Sequence, residues 1–141
     1  MASFVCQNEV YIFLYAAFWR IGHQNNRKNY QKTTLDNGLR IITETMPHTH
    51  SVSICIFIGA GSRYETGPQA GVSHFIEHLM FKGTPKRATA REISLAIEGV
   101  GGIINAGTDK ELTIYWCKAA QPHFALALDV LADILLHSRF D

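Results

Sequence analysis

Residues 51–58 read SVSICIFI, and this octet limits the fold more than any other part of the chain. Val52, Ile54, Ile56 and Ile58 alternate with Ser53, Cys55 and Phe57. A period of two means an extended strand, and apolar residues at both phases mean one buried face and one largely covered face. Such a strand needs neighbours on both edges and a layer packed on at least one side. The stretch before it, TTLDNGLRIITETMP from Thr33, supplies one neighbour. Asn37-Gly38 is a turn signal, Leu39, Ile41 and Thr43 alternate after it, and Pro47 stops the strand. Gly59, Gly61 and Gly67 then open a loop, GAGSRYETGPQAG.

The period changes after that loop. In GVSHFIEHLMFKGT (71–84), Val72, Phe75, Ile76, Leu79 and Met80 share one face at 3.6 residues per turn. That face is expected to meet the core, with His74, Glu77 and His78 on the other side. Lys82, Gly83 and Pro85 form a helix end. A second helix is signalled by TAREISLAIEGVGG, where Thr89 and Glu92 have capping-box spacing and Ile93, Ala96, Ile97 and Val100 form the stripe. IINAGTDKELTIYWCKA then reads as a hairpin: a strand at 103–106, a turn at 107–110 and a strand at 112–117. Pro122 opens a third helix lined by Phe124, Leu128, Leu131 and Leu135, with Ala127 and Ile134 beside them. The order strand, helix, helix, hairpin, helix predicts an α+β fold, with helices packed on one face of a mainly antiparallel sheet.

Of the 141 residues, 47% are hydrophobic and 18% charged, which suits a chain with a packed core. A net charge of +1 with dispersed Lys and Arg argues against a nucleic-acid partner. Cys6, Cys55 and Cys117 are too few and too scattered for a disulfide framework or a thiolate metal site. Residues 1–32 differ from the rest. Their ten-residue apolar run VYIFLYAAFW (10–19) is too short to span a bilayer as a helix, and Glu9 before it suits a signal peptide poorly. Residues 1–32 are expected to be an irregular extension, membrane attachment is disfavoured, and the globular unit is expected over 33–141.

The chemistry lies in His74, Glu77 and His78. Imidazoles at i and i+4 leave a helix on one face, close enough to share a metal. Zinc favours neutral imidazole nitrogen and carboxylate oxygen, and catalytic sites use three protein ligands plus water. Glu77 stands beside such a metal rather than on it, where it can take the proton of a zinc-bound water attacking a carbonyl and return it to the leaving amine. The order H-x-x-E-H is the inverted zincin motif. The alternative is a pair of solvated helix histidines beside a helix-stabilising glutamate.

Residues 33–141 resemble the amino-terminal part of a catalytic domain of the insulinase, pitrilysin and mitochondrial processing peptidase β-subunit family. The resemblance rests on five collinear segments: LDNGLRII, GAGSRYE, GVSHFIEHLMFKGT, EGVGGIINAGTDKELTIYW and LALDVLADILLHSRFD. It implies a zinc metalloendopeptidase acting on peptides or presequences, with His74 and His78 as Zn2+ ligands and Glu77 as general base. The family's third ligand is a glutamate on a later helix, at a position expected beyond Asp141. The resemblance also places Asn105 and Ala106 on a substrate-binding strand and Glu111 behind the site. A turn asparagine and a surface glutamate are the competing readings. Arg63 and Glu65 are expected as an exposed ion pair or a loop cap. The family further implies a homologous second half or partner subunit, and a cytoplasmic or mitochondrial-matrix-like setting. A companion subunit that keeps the fold without the chemistry is the alternative.

Overall fold

The computed structural model describes residues 10–16 and 30–140. Six strands form one sheet: β1 (Val10–Ala16), β2 (Tyr30–Thr34), β3 (Arg40–Thr45), β4 (Ser51–Ile58), β5 (Ile103–Thr108) and β6 (Thr113–Ala120), in the order β2-β3-β1-β4-β6-β5. Every pairing is antiparallel except β1 with β3. The described residues also form three α-helices, α1 (Val72–Met80), α2 (Ala90–Glu98) and α3 (Phe124–His137), and three short 3-10 turns. The α+β architecture with a mainly antiparallel sheet is the one expected from the sequence.

The octet 51–58 is β4, second in from neither edge but flanked by β1 and β6. Its register with β6 pairs Val52 with Ala119, Ile54 with Cys117 and Ile56 with Tyr115, all buried and all on one face. Because strand side chains alternate, these positions form one apolar surface, and α2 and α3 cover it. Ile93 and Ile97 come down from α2, and Ala127, Val130, Leu131 and Ile134 from α3. The buried stripe of α3 thus centres on Ala127, Val130, Leu131 and Ile134, while Leu128 and Leu135 lie half-buried at its flank. Burial pushes the Cys117 thiol up to about 11, so it is a reduced core residue rather than a reactive one. At α2 the Thr89 hydroxyl accepts the Glu92 N–H (3.2 Å), and the Glu92 carboxylate accepts the Ala88 N–H (2.8 Å). The expected reciprocal cap therefore forms, one residue earlier on its return arm.

Two expectations are corrected. Residues 10–16, anticipated as part of an irregular extension, are a strand between β3 and β4, with Ile12 opposite both Ile41 and Ile56. A seven-residue apolar run satisfies its backbone groups by joining a sheet as readily as by any other route. Residues 1–9 and 17–29 of that expected extension lie outside the described residues. The second correction concerns α1. Its apolar stripe does not enter the core: Val72, Phe75 and Ile76 are exposed, and no residue of the helix is fully buried. Only Met80 and the following Phe81 pack against the core cluster. The helix is rotated so that its polar side turns toward β5.

A buried polar lock ties the end of α1 to α3. Arg87, in the loop after α1, donates to Asp133 of α3 at 2.5 Å and to Asp129 at 2.5 Å, while the Thr84 hydroxyl donates to Asp133 at 2.8 Å. Hydrogen bonds from Lys86 and then Arg87 hold the Asp129 carboxyl below its ordinary value. Beside the lock, the Arg139 N–H donates to the Gly83 carbonyl (2.9 Å) and the Ser138 hydroxyl to the Met80 carbonyl (2.8 Å). Gly83 is required here, since its φ is +147° and a Cβ would sit 2.4 Å from the Ala88 carbonyl oxygen.

Candidate metal centre

The helix α1 starts where the glycine loop places it. Gly71, at φ +91°, turns the chain into the first turn and offers no side-chain cap. Glu65 supplies one from six residues upstream: its carboxylate accepts the N–H of Gly71 at 2.6 Å and of Ser73 at 2.8 Å. Those bonds, Ser73 first, hold its carboxyl below the ordinary value, and the charge also complements the positive end of the helix. The loop itself is strapped to the β5–β6 turn. Ser62 and Arg63 donate their N–H groups to the carbonyls of Asp109 and Lys110, and the Arg63 guanidinium pairs with Glu111. A Cβ at Gly61 would lie 2.3 Å from the Asp109 carbonyl, so the strap depends on a glycine.

With α1 fixed at both ends, His74 and His78 stand one turn apart and their rings converge. The two Nε2 atoms are 3.0 Å apart, with ring centroids separated by 4.6 Å. Two nitrogens bound to one tetrahedral zinc at about 2.0–2.1 Å lie roughly 3.3 Å from each other, so a shift of a few tenths of an ångström admits the ion. Both imidazoles are exposed and reachable. The donor set fits zinc in chemistry and in spacing. Among the described residues, no group of three or more His, Cys, Asp or Glu side chains could hold a metal, so the pair stands without a third ligand there.

Glu77, between the two histidines in sequence, is half-buried against the sheet. Its Oε2 accepts the Thr108 hydroxyl at 2.5 Å. Thr108 ends β5, and the register Thr108↔Thr113, Ala106↔Tyr115 puts it on the helix-bearing face. Tyr115, its neighbour one step along β6, has its phenol pushed up to about 12 by burial and then by the Glu77 charge. Sequence reading did not single out Thr108. It lies 31 residues from Glu77, and only the period-two count along β5 could have put it on the right face.

The other expected site residues fall out differently. Asn105 occupies the opposite, exposed phase of β5, where its Oδ1 accepts the Ala106 N–H at 2.8 Å. It nonetheless helps line a cavity of about 300 Å³ beside the site, together with Glu77, His78, Phe81 and Ile104. Ala106 is half-buried and packs toward the core. The strand carrying both is the last in the sheet order. Glu111 is engaged by Arg63 on the surface, its side chain 59% exposed, rather than by the histidines or Glu77. Arg63 finds its ion-pair partner in Glu111 rather than in Glu65, and Glu65 caps the start of α1.

Residues 40–141 match the family model described as insulinase, peptidase family M16. The chain belongs to the insulinase family of peptidases. An uncharacterised zinc protease of Bacillus subtilis is 48% identical over 111 residues, which cover 79% of this chain and 27% of that protein. A probable mitochondrial-processing peptidase β-subunit of Arabidopsis thaliana is 45% identical over 109 residues, covering 77% of this chain and 20% of that one. A protease of Helicobacter pylori of known crystal structure superposes with a TM-score of 0.74 at 26% identity, over 79% of this chain and 27% of its own. The insulinase-family chain described here thus spans about a quarter of the length of the relatives it matches. No helix among its described residues is long and apolar enough to cross a membrane.

Proposed function

We propose that this chain carries the metal-gripping helix and the proton-transfer group of a zinc metalloendopeptidase. One observation carries the reading: two Nε2 atoms 3.0 Å apart on α1, with the Glu77 carboxylate held on the same side of the helix against β5. Zinc at this position would supply a Lewis acid that brings the pKa of water near 7 and polarises a carbonyl. His74 and His78 would hold the ion. Glu77 accepts a proton from the attacking water on a carboxylate oxygen and, once protonated, delivers it to the leaving amine nitrogen. A third ligand, a glutamate by resemblance, completes the set in this proposal.

The sheet supports a peptide as the substrate class. β5 ends the strand order, so its outer edge can accept an extended peptide by backbone pairing, with Asn105 and the neighbouring cavity at the point where that peptide passes Glu77. Peptides or presequences fit such an edge, and a homologous second half or partner subunit would close over it. The relatives named as β-subunits of a processing peptidase support that arrangement.

A second reading keeps one observation in its favour. The described residues offer two imidazoles and no third ligand, which would suit a companion subunit that retains the fold and binds a homologous partner. Peptide cleavage separates the two. Under the catalytic reading, Glu77→Gln abolishes cleavage and leaves zinc binding intact; a Glu77→Gln protein that still cleaves at the wild-type rate ends that reading.

A further inference from the structure

We infer that Thr108 is a positioning residue that fixes the orientation of the Glu77 carboxylate. The inference deepens the reading above and rests on it for its functional meaning, but its geometric content stands alone. A glutamate side chain has three rotatable torsions, and its place on the half-buried side of α1 does not by itself select one orientation of the carboxylate. The Thr108 hydroxyl does. It donates to Oε2 at 2.5 Å, using one acceptor site of that oxygen and so favouring Oε1 for a proton.

Thr108 can act as a fixed point because its own frame is rigid. Its backbone is paired with Thr113 in the β5–β6 ladder, and β-branching restricts its χ1. Thr113 is anchored in turn by its hydroxyl to the Ala60 carbonyl at 2.9 Å, and the turn beyond is closed by Asp109 N–H to Leu112 C=O at 2.9 Å. The neighbours of Thr108 on the same face of β5 are Ile104 and Ala106, which pack against the core and offer a carboxylate nothing. Among the described residues, the hydroxyl is the side-chain hydrogen bond from β5 to Glu77. A bond between groups 31 residues apart joins the helix that holds the metal ligands to the strand whose edge would hold the peptide. It sets the distance between those two elements at the reacting position.

The test uses the 141-residue chain with its glutamate side-chain carboxyls labelled with carbon-13, the Glu77 signal being assigned by its loss in Glu77→Gln. In Thr108→Val, which removes the hydroxyl at nearly constant shape, the Glu77 resonance should move to the position of a solvated glutamate, while the thermal midpoint stays within about 5 °C and zinc affinity within about twofold of wild type. Thr108→Ser should restore the wild-type position. In peptide turnover by protein that carries the third ligand, the same series should show kcat lowered about tenfold in Thr108→Val at unchanged KM, with recovery in Thr108→Ser. A Glu77 resonance that is solvent-like in the wild type, or unmoved by Thr108→Val, overturns the inference. If that occurs while zinc binding still needs both histidines, the metallopeptidase reading survives and the role of Thr108 falls. If zinc binding fails while the resonance behaves as stated, the reverse holds.

Discussion

Replacing Asp133 with alanine should unfold this chain more readily than any surface change, and the structure gives the size of the effect. Asp133 accepts Arg87 at 2.5 Å and Thr84 at 2.8 Å, and the Arg87 and Asp133 side chains are 10% and 8% exposed. Removing one member of a buried ion pair leaves the other charge without its partner in a poorly solvated place, at a cost of about 3–5 kcal/mol. Arg87 keeps its second contact to Asp129, but that carboxylate is 44% exposed, and an exposed pair returns about 1 kcal/mol or less. The net loss is then about 3 kcal/mol, or a fall in thermal midpoint of roughly 10 °C for a domain of this size. Urea and thermal unfolding followed by circular dichroism measure it directly. Replacing the whole network with apolar groups (Asp133→Leu, Arg87→Met and Thr84→Val together) should recover most of the loss, since it leaves no unpaired charge. A loss below 1 kcal/mol for Asp133→Ala, or a triple variant weaker than the single one, would refute the reasoning.

The corrected orientation of α1 makes Phe75→Ser nearly neutral, within about 0.5 kcal/mol, because Phe75 is 61% exposed; Ile97→Ala, at a fully buried position, should cost about 2–5 kcal/mol in the same unfolding assay. Gly61→Ala should lower stability by about 1–3 kcal/mol, since the new Cβ meets the backbone of the β5–β6 turn at 2.3 Å, and loss of the loop-to-turn bonds should appear as faster amide exchange at Ser62 and Arg63. Glu65 has a carboxyl held below its ordinary value in the folded chain, so its cap is present above the unfolded-state pKa and is lost as pH falls through the folded-state value. Amide exchange at Gly71 and Ser73, corrected for intrinsic rates, should therefore rise on acidification in the wild type, and this acid-dependent component should disappear in Glu65→Gln.

Much of the layout was legible in the sequence because it is written in local period. The alternation of 51–58 gave β4 and its buried phase, and Thr89 with Glu92 gave the start of α2. The i, i+4 spacing gave the convergence of His74 and His78. What the period could not give is the destination of a face. The apolar stripe of α1 is regular, yet Val72, Phe75 and Ile76 face outward, because Glu77 is bonded to β5 and Met80 and Phe81 alone reach the core. Periodicity fixes which residues share a side; only tertiary contacts say what that side meets. The Arg87–Asp133 and Thr108–Glu77 bonds were hidden for the same reason, joining residues 46 and 31 apart. The strand at 10–16 did carry a signal, a β-branched and aromatic run, but its neighbours Arg40–Thr45 and Ser51–Ile58 follow only later in the chain.

The central claim is that His74 and His78 together grip a zinc ion. Calorimetric titration of the purified chain with zinc, repeated on His74→Ala, His78→Ala and Glu77→Gln, tests it most directly. The account predicts one ion per chain, binding weakened at least tenfold by either histidine change and left nearly unaltered by Glu77→Gln. Undiminished zinc binding in His74→Ala or His78→Ala would contradict it.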